Sequence, residues 1–239
     1  MPTQPWRVQS YDSLPSTQDI AIAAARAGDP APMAVLAALQ TAGRGRAGRP
    51  WTAPSGNLNF SAVLRPAPAP LLPAAWSLLA GVAVYDAVAP HVQPVAGLTL
   101  KWPNDLLLAG AKLAGVLIDS SLAPDGSLEW VVIGVGVNLA TAPAIEGRAT
   151  TCVAAHGATV QPALLAEAMM AALDRWRAVE FATVRQAWLD RAHPPGTRLR
   201  VQRGNEVLEG EFLGLTQDGR LRLDGAGDAA SGDVEIVGG

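Results

Sequence analysis

Residues 40–51 read "QTAGRGRAGRPW", and how they are read decides which fold the chain can adopt. By spelling, "GRGRAG" satisfies G-x-G-x-x-G, the glycine pattern of dinucleotide-binding folds. That pattern needs a strand before it and a helix directly after, whose N-terminus meets the pyrophosphate. An apolar run of strand length, "MAVLAAL", does precede it. The residues directly after it, "RPWTAPSGN", hold prolines and turn formers that will not start a helix. The acid expected about 20 positions on is also missing, and Arg65 stands near there instead. The dinucleotide reading fails.

The same stretch concentrates Arg44, Arg46 and Arg49. Arginines among glycines occur in RNA-binding segments, usually as arrays in basic chains. This chain has 239 residues, a net charge of −3 and a pI near 5.6, so neither nucleic acid nor an anionic membrane is expected as a partner. A solvated, exposed loop is the plain alternative. A site for small anions fits better. Glycines let the backbone wrap a ligand closely, guanidinium groups clamp carboxylate or phosphate at two points, and Trp51 can wall the pocket. Long loops inside compact domains tend to be functional.

Composition frames this loop. With 49% hydrophobic residues the chain has ample material for a core, against disorder as its main state. Cys152 is the sole cysteine, so no intrachain disulfide forms. "MPTQPWRVQSYD" is polar, with two prolines, unlike a secretory signal. Residues 71–89, "LLPAAWSLLAGVAVYDAVA", approach the length of a membrane span. Pro73, Ser77, Tyr85 and Asp86 interrupt them, and a buried core helix is the better reading. A soluble cytoplasmic protein is expected. Sixteen arginines stand against two lysines, Lys101 and Lys112, eleven positions apart. A lysine kept against that bias suits a place needing a compact ammonium.

Elsewhere strands and helices alternate. "WRVQSY" reads as a strand, and "STQDIAIAAARAG" as a helix with Ser16 as N-cap, Asp19 three residues on and Gly28 as its stop. "NLNFSAVL" alternates like a half-buried strand. "GLTLKW", a "PND" turn and "LLLAGAKLAGVLIDSS" suggest strands with a hairpin near Gly110. "SLEWVVIGVGVNL" has buried character; Gly134 and Gly136 permit close approach there, and Asn138 ends it. Residues 141–160 lack a period and read as loop, with 141–150 expected to be mobile until nucleotide binds. Two helical stretches come next, "QPALLAEAMMAALDRWRAV" and "FATVRQAWLDRA". At "HPPGT" the pattern changes to short strands with tight turns. Residues 1–192 thus form one domain, and 195–239 a small SH3-like barrel.

Asn104 and Asp105 stand on the "PND" turn and Lys112 begins the return strand, where polar groups can point into a site. Taken alone, such a segment is as well read as an ordinary turn. The order of the segments is what distinguishes them. "STQD", "QTAGRGRAGRPW", "KWPNDL", "KLAGVL" and "GVGVNL" resemble the motif series of biotin protein ligases. The likeness runs from about residue 10 through "GEFLGLTQDGRLRL" and "GDVEIV".

That resemblance implies an α+β fold: a mixed/antiparallel sheet flanked by helices, of the class II aminoacyl-tRNA synthetase/biotin ligase kind, with the SH3-like barrel appended. It implies an ATP-dependent ligase that forms biotinyl-5′-AMP, releases pyrophosphate and biotinylates a lysine on the carrier domain of a biotin-dependent carboxylase. ATP and Mg2+ are the implied cofactors. Lys112, Arg46 and Asp105 match catalytic positions. Ser16, Thr17, Gln18, Gln40, Gly43, Arg44, Gly45 and Gly115, together with Arg46 and Lys112, match the biotin site; Ser16, Thr17 and Gln40 would bond the ureido group. Arg49, Trp51, Asn104 and Asn138 match positions around ATP, as do Arg46, Asp105 and Lys112, with Asp105 the metal position. Gln18 departs from the family's usual asparagine. No N-terminal DNA-binding extension is seen, which implies the monofunctional type. The oligomeric state stays open, a homodimer included. A lipoate or octanoate ligase would share the fold but uses a different arginine–glycine motif. A non-catalytic binding protein would not need both Lys112 and Asp105.

Overall fold

A computed structural model of the chain describes residues 5–65, 73–93 and 97–237. Arg7–Leu14 (β1), Thr17–Arg26 (α1), Met33–Gln40 (β2) and Leu58–Leu64 (β3) come first. Pro73–Val88 (α2) leads to Leu98–Lys101 (β4), Asp105–Leu108 (β5), Ala111–Leu122 (β6) and Leu128–Val137 (β7). Pro162–Trp176 (α3) and Phe181–Leu189 (α4) come next. The last strands are Arg198–Arg203 (β8), Glu206–Leu215 (β9), Leu221–Leu223 (β10), Gly227–Ala229 (β11) and Asp233–Ile236 (β12).

Seven strands form one mixed sheet in the order β1-β2-β3-β7-β6-β5-β4. β1 and β2 are parallel and all other neighbours antiparallel. A parallel pair needs a crossover; α1 supplies it, so its N-terminus lies directly after the end of β1.

The parity of β7 shows how the layers form. Val131, Ile133, Val135 and Val137 join the core under α2, α3 and α4, whereas Trp130 and Val132 pack against α1 on the opposite face. The next positions on that second face are Gly134 and Gly136, so the side-chain layer ends and bare backbone remains. β3 has the same parity. Phe60, Ala62 and Leu64 face the helical core and Val63 faces α1. Its alternation predicts one solvated face, yet all seven residues are buried. The polar positions, Asn59 and Ser61, lie beside the start of α1, hydrogen-bonded to Gln40 and to Thr17 and Gln18.

α2 is buried and apolar nearly all round, as suits a helix between a sheet and two further helices. Its polar interruptions have partners. Ser77 Oγ donates to the Pro103 carbonyl at 2.8 Å. Asp86 accepts from Arg175, Arg191 and Trp176 Nε1 at 2.5, 3.0 and 2.9 Å. The helix expected from residue 71 begins at Pro73; Leu71 and Leu72 lie outside the described residues. Among the described residues no helix is long and apolar enough to cross a membrane.

The C-terminal strands form a second, antiparallel sheet ordered β11-β10-β9-β8-β12. Its pairing among the described residues is an open row and does not close into a barrel. Phe212, Leu215 and Leu221 share one apolar core with α2 and α4. Trp102 Nε1 also donates to the Gly219 carbonyl at 3.2 Å, so the two sheets are firmly joined.

Candidate active site

On the α1 face, where β7 loses its side chains, lies a cavity of about 430 Å³. Gly115 on β6 and Gly136 on β7 are register partners. The Trp51 indole rests on this pair, in space that a Cβ on Gly136 would occupy. Close approach by a flat group is the reason for glycine here.

Lys112 reaches the cavity through an irregularity in β6. The β5–β6 register shifts between Leu106 and Leu107, leaving Leu113 as the extra residue. Leu113 and Ala114 both enter the helical core, and Lys112 turns to the opposite face. A bulge beside a site commonly re-aims a side chain in this way. Lys112 Nζ lies 2.5 Å from Asp105 Oδ1 and 5.7 Å from the Trp51 ring. Burial pushes the Lys112 pKa below its ordinary value, and the neighbouring Asp105 carboxylate opposes that shift. The second lysine, Lys101, ends on the same carboxylate at 3.5 Å. Both lysines of an arginine-rich chain thus converge on Asp105.

The loop after β2 is already folded on itself. Trp51 N–H donates to the Gly43 carbonyl at 2.9 Å, and Gly45 N–H to the Arg49 carbonyl at 2.8 Å. The loop contains no helix beyond one 3-10 turn, Arg46–Gly48, in keeping with rejection of the dinucleotide pattern. Its three arginines diverge. Arg46 points inward, donating to Asn104 Oδ1 at 2.9 Å; burial lowers its pKa while Asp233 and Asp105 oppose. Arg49 makes a two-point bond with Asp233 of β12 at 2.6 and 2.8 Å, which raises the arginine's pKa and lowers that of the carboxylate. Arg44 also lines the cavity, with its guanidinium bonded to Asp19 at 2.7 Å.

Ser16 stands at the N-cap of α1, but its side chain makes no capping bond. Among the described residues its hydroxyl is buried without a partner, and it lines the cavity. Asp19, the other half of the expected capping box, is engaged by Arg44. Trp51 Nε1 and Asn138 Oδ1 are likewise buried, without a partner among the described residues, and on the cavity wall. Buried polar atoms without partners are uncommon, and three around one cavity mark a surface that binds something polar. Gln40 Oε1 accepts the Thr17 N–H at 2.7 Å, and Gln40 Nε2 donates to Asn59 at 3.0 Å.

Every expected site residue lines this cavity except Gly43, which sits at the base of the loop. Several lining residues were not foreseen. Ser61 extends the Thr17–Gln18 wall, and the recurrence of polar residues at 57, 59 and 61 was its signal in the sequence. Lys101, Asp233 and Arg148 also line it. Of these, only the scarcity of lysine hinted at Lys101. Arg44, Arg46, Arg49, Lys101, Lys112 and Arg148 together outnumber Asp105, Glu146 and Asp233 on the walls. The cavity is cationic in an acidic chain. Among the described residues no three His, Cys, Asp or Glu side chains cluster as a metal cage.

The chain is similar to known proteins over most of its length. The family of Biotin/lipoate A/B protein ligases matches residues 12–138, and the chain belongs to that family. Within it, the chain is 42% identical to a biotin–acetyl-CoA-carboxylase ligase of Paracoccus denitrificans, over 80% of this chain and 83% of that protein. A biotin protein ligase of Leishmania major, solved in complex with biotinyl-5-AMP, is 27% identical with a TM-score of 0.68, covering 98% of this chain and 99% of that one. A biotin protein ligase of Aquifex aeolicus, solved with biotin and ATP, shares the fold at a TM-score of 0.78 and 22% identity, covering 96% and 99%.

Proposed function

We infer that this chain is a biotin protein ligase. It joins the biotin carboxylate to the α-phosphorus of ATP, releasing pyrophosphate, and passes the biotinyl group from biotinyl-5′-AMP to a lysine on a carboxylase carrier domain. The observation that carries this reading is the cationic cavity centred on Lys112 and Asp105, with a polar wall at one end.

The obstacle to the first step is repulsion between a carboxylate and a polyphosphate. Preorganised positive charge in a partly dry site counters it, and Lys112 and Arg46 are placed to supply that charge. Ser16, Thr17 and Gln40 suit a ureido ring, which carries both donors and an acceptor. A dithiolane or a plain acyl chain would leave them unsatisfied, which favours biotin over lipoate or octanoate. Asn104, Asn138 and Trp51 flank the proposed nucleotide end, where Arg49 and Asp233 close the wall. Asp105 and the unpartnered Asn138 Oδ1 are hard oxygens that would hold a phosphate-borne magnesium ion, whose charge offsets the polyphosphate. In the transfer step the acceptor amine, with an ordinary pKa of about 10.4, must lose a proton; Asp105 orients or accepts it. The strands beyond residue 195 form an SH3-like domain against the catalytic domain of residues 1–192.

Pyrophosphate release measured with biotin, lipoate and octanoate tests the reading. Turnover is expected with biotin, and then a mass increase on an added carrier domain. Turnover with lipoate or octanoate in its place would overturn it.

A further inference from the structure

β7 leaves the sheet at Val137, whose register partner on β3 is Leu58. Asn57, one residue before Leu58, therefore stands where the chain turns from β7 along the cavity. Just past Asn138, three successive amides turn from the ladder to one side-chain oxygen. Leu139, Ala140 and Thr141 N–H donate to Asn57 Oδ1 at 2.9, 3.0 and 3.3 Å, and Asn57 Nδ2 donates back to the Thr141 carbonyl at 2.8 Å. A carboxamide offers acceptor and donor on one planar group, and here both are used. Asn57 is buried, and its own N–H donates to the Pro54 carbonyl at 3.4 Å. Its neighbour Gly56, at φ 91°, lies so close to the same segment that a Cβ would come within 2.9 Å of the Ala140 side chain.

The segment fixed in this way opens the loop of residues 142–150, from which Pro143, Ile145, Glu146, Arg148 and Thr150 line the cavity. The bulge of β6 fixes the far end of that loop. Lys112 N–H donates to the Ala149 carbonyl at 2.8 Å, and Thr151 N–H to the Lys112 carbonyl at 3.0 Å. Thr150 Oγ1 links the two ends, donating to the Pro143 carbonyl at 2.6 Å. We propose that Asn57 is a positioning residue for the nucleotide: it fixes the start of loop 142–150, so that this wall of the cavity is formed before ATP binds. The proposal rests on the biotin ligase reading above, with the nucleotide end beside Asn138. Asn57 itself is not on the cavity wall; it acts through the backbone of residues 139–141. A wall already in place spares the ligand the entropy of ordering it.

Asn57→Ala and Asn57→Asp test it in the full chain, with KM for ATP and for biotin read by pyrophosphate release and the fold by thermal melting. Alanine leaves the three amides without their acceptor, so KM for ATP should rise about tenfold while KM for biotin stays within about twofold. Glu146 is exposed in the loop. Its cleavage by a glutamyl endopeptidase, followed by intact mass, should quicken about tenfold in N57A, because cleavage tracks the population of the opened form. Aspartate keeps the acceptor and lacks the donor, so N57D should fall between N57A and wild type on both readouts. An unchanged KM for ATP in N57A, equal rises in both KM values, unaltered cleavage at Glu146, an N57D chain no better than N57A, or an unfolded N57A chain would each overturn the proposal. A wild-type chain that releases no pyrophosphate with biotin would instead defeat the functional reading itself, and the cleavage rates would still decide whether Asn57 holds the loop.

Discussion

Had β6 kept its register, Lys112 would lie among the side chains under α2 and Leu113 would face the cavity. Charge alone does not define what the bulge delivers. A compact ammonium 2.5 Å from Asp105 can lie between two oxyanions, whereas a planar guanidinium needs more room and fixed directions. Lys112→Arg should therefore cut single-turnover adenylate formation by about 100-fold or more, the scale of losing one preorganised charge contact. Near-normal rates in that variant would refute the role. Ser16 separates two uses of one hydroxyl. A working N-cap is worth about 1 kcal/mol, but this side chain caps nothing. Ser16→Ala should leave Tm within a degree or two and raise KM for biotin about threefold to tenfold, as loss of one hydrogen bond would. Melting curves beside biotin saturation curves decide between the two uses.

At the scale of elements, the strands and helices with strong periods could be read from the sequence, because local pattern encodes local structure. What escaped depends on partners far along the chain. Alternation in β3 shows that its two faces differ, but not that both are covered. Asp233 carries no local mark, since Arg49 stands 184 positions away. β11 has only three residues and no period to detect. The motif residues of the cavity were legible through the order of their segments, which resembles that of biotin protein ligases; by composition alone only the arginine–glycine loop and the rare lysines stood out. The junction between α4 and β8 adds a pH dependence. His193 is 5% exposed, has no hydrogen-bond partner among the described residues and packs edge-on to Phe212 at 4.7 Å. Burial, with Lys101 adding to it, lowers its pKa from 6.5 to about 4. Between these values the unfolded chain binds a proton that the folded chain refuses. The neutral ring's contribution to stability is therefore full above pH 6.5 and falls as pH drops toward 4, by on the order of 3 kcal/mol. Urea unfolding of wild type and His193→Phe across that window should differ in slope. Parallel curves would exclude His193 as the source.

For the molecule as a whole, the second sheet supplies part of the cavity wall. Asp233 fixes Arg49, Lys101 donates to the Val234 carbonyl at 3.0 Å, and Arg46 lies 3.5 Å from the Gly232 carbonyl. Asp233→Ala should raise KM for ATP about threefold to tenfold while leaving KM for biotin near wild type, because a partly exposed two-point pair is worth about 1 kcal/mol or somewhat more. Equal effects on both substrates would show that the pair only stabilises the fold. The ties at the base of the arginine loop bear on how affinity is apportioned. Fixing a free backbone costs about 1–2 kcal/mol of conformational entropy per residue. With Gly43 held to Trp51 and Gly45 to Arg49, any freedom in the loop is confined to a few residues between them. A ligand that engages the arginines has little disorder left to remove, so their contacts go into holding it.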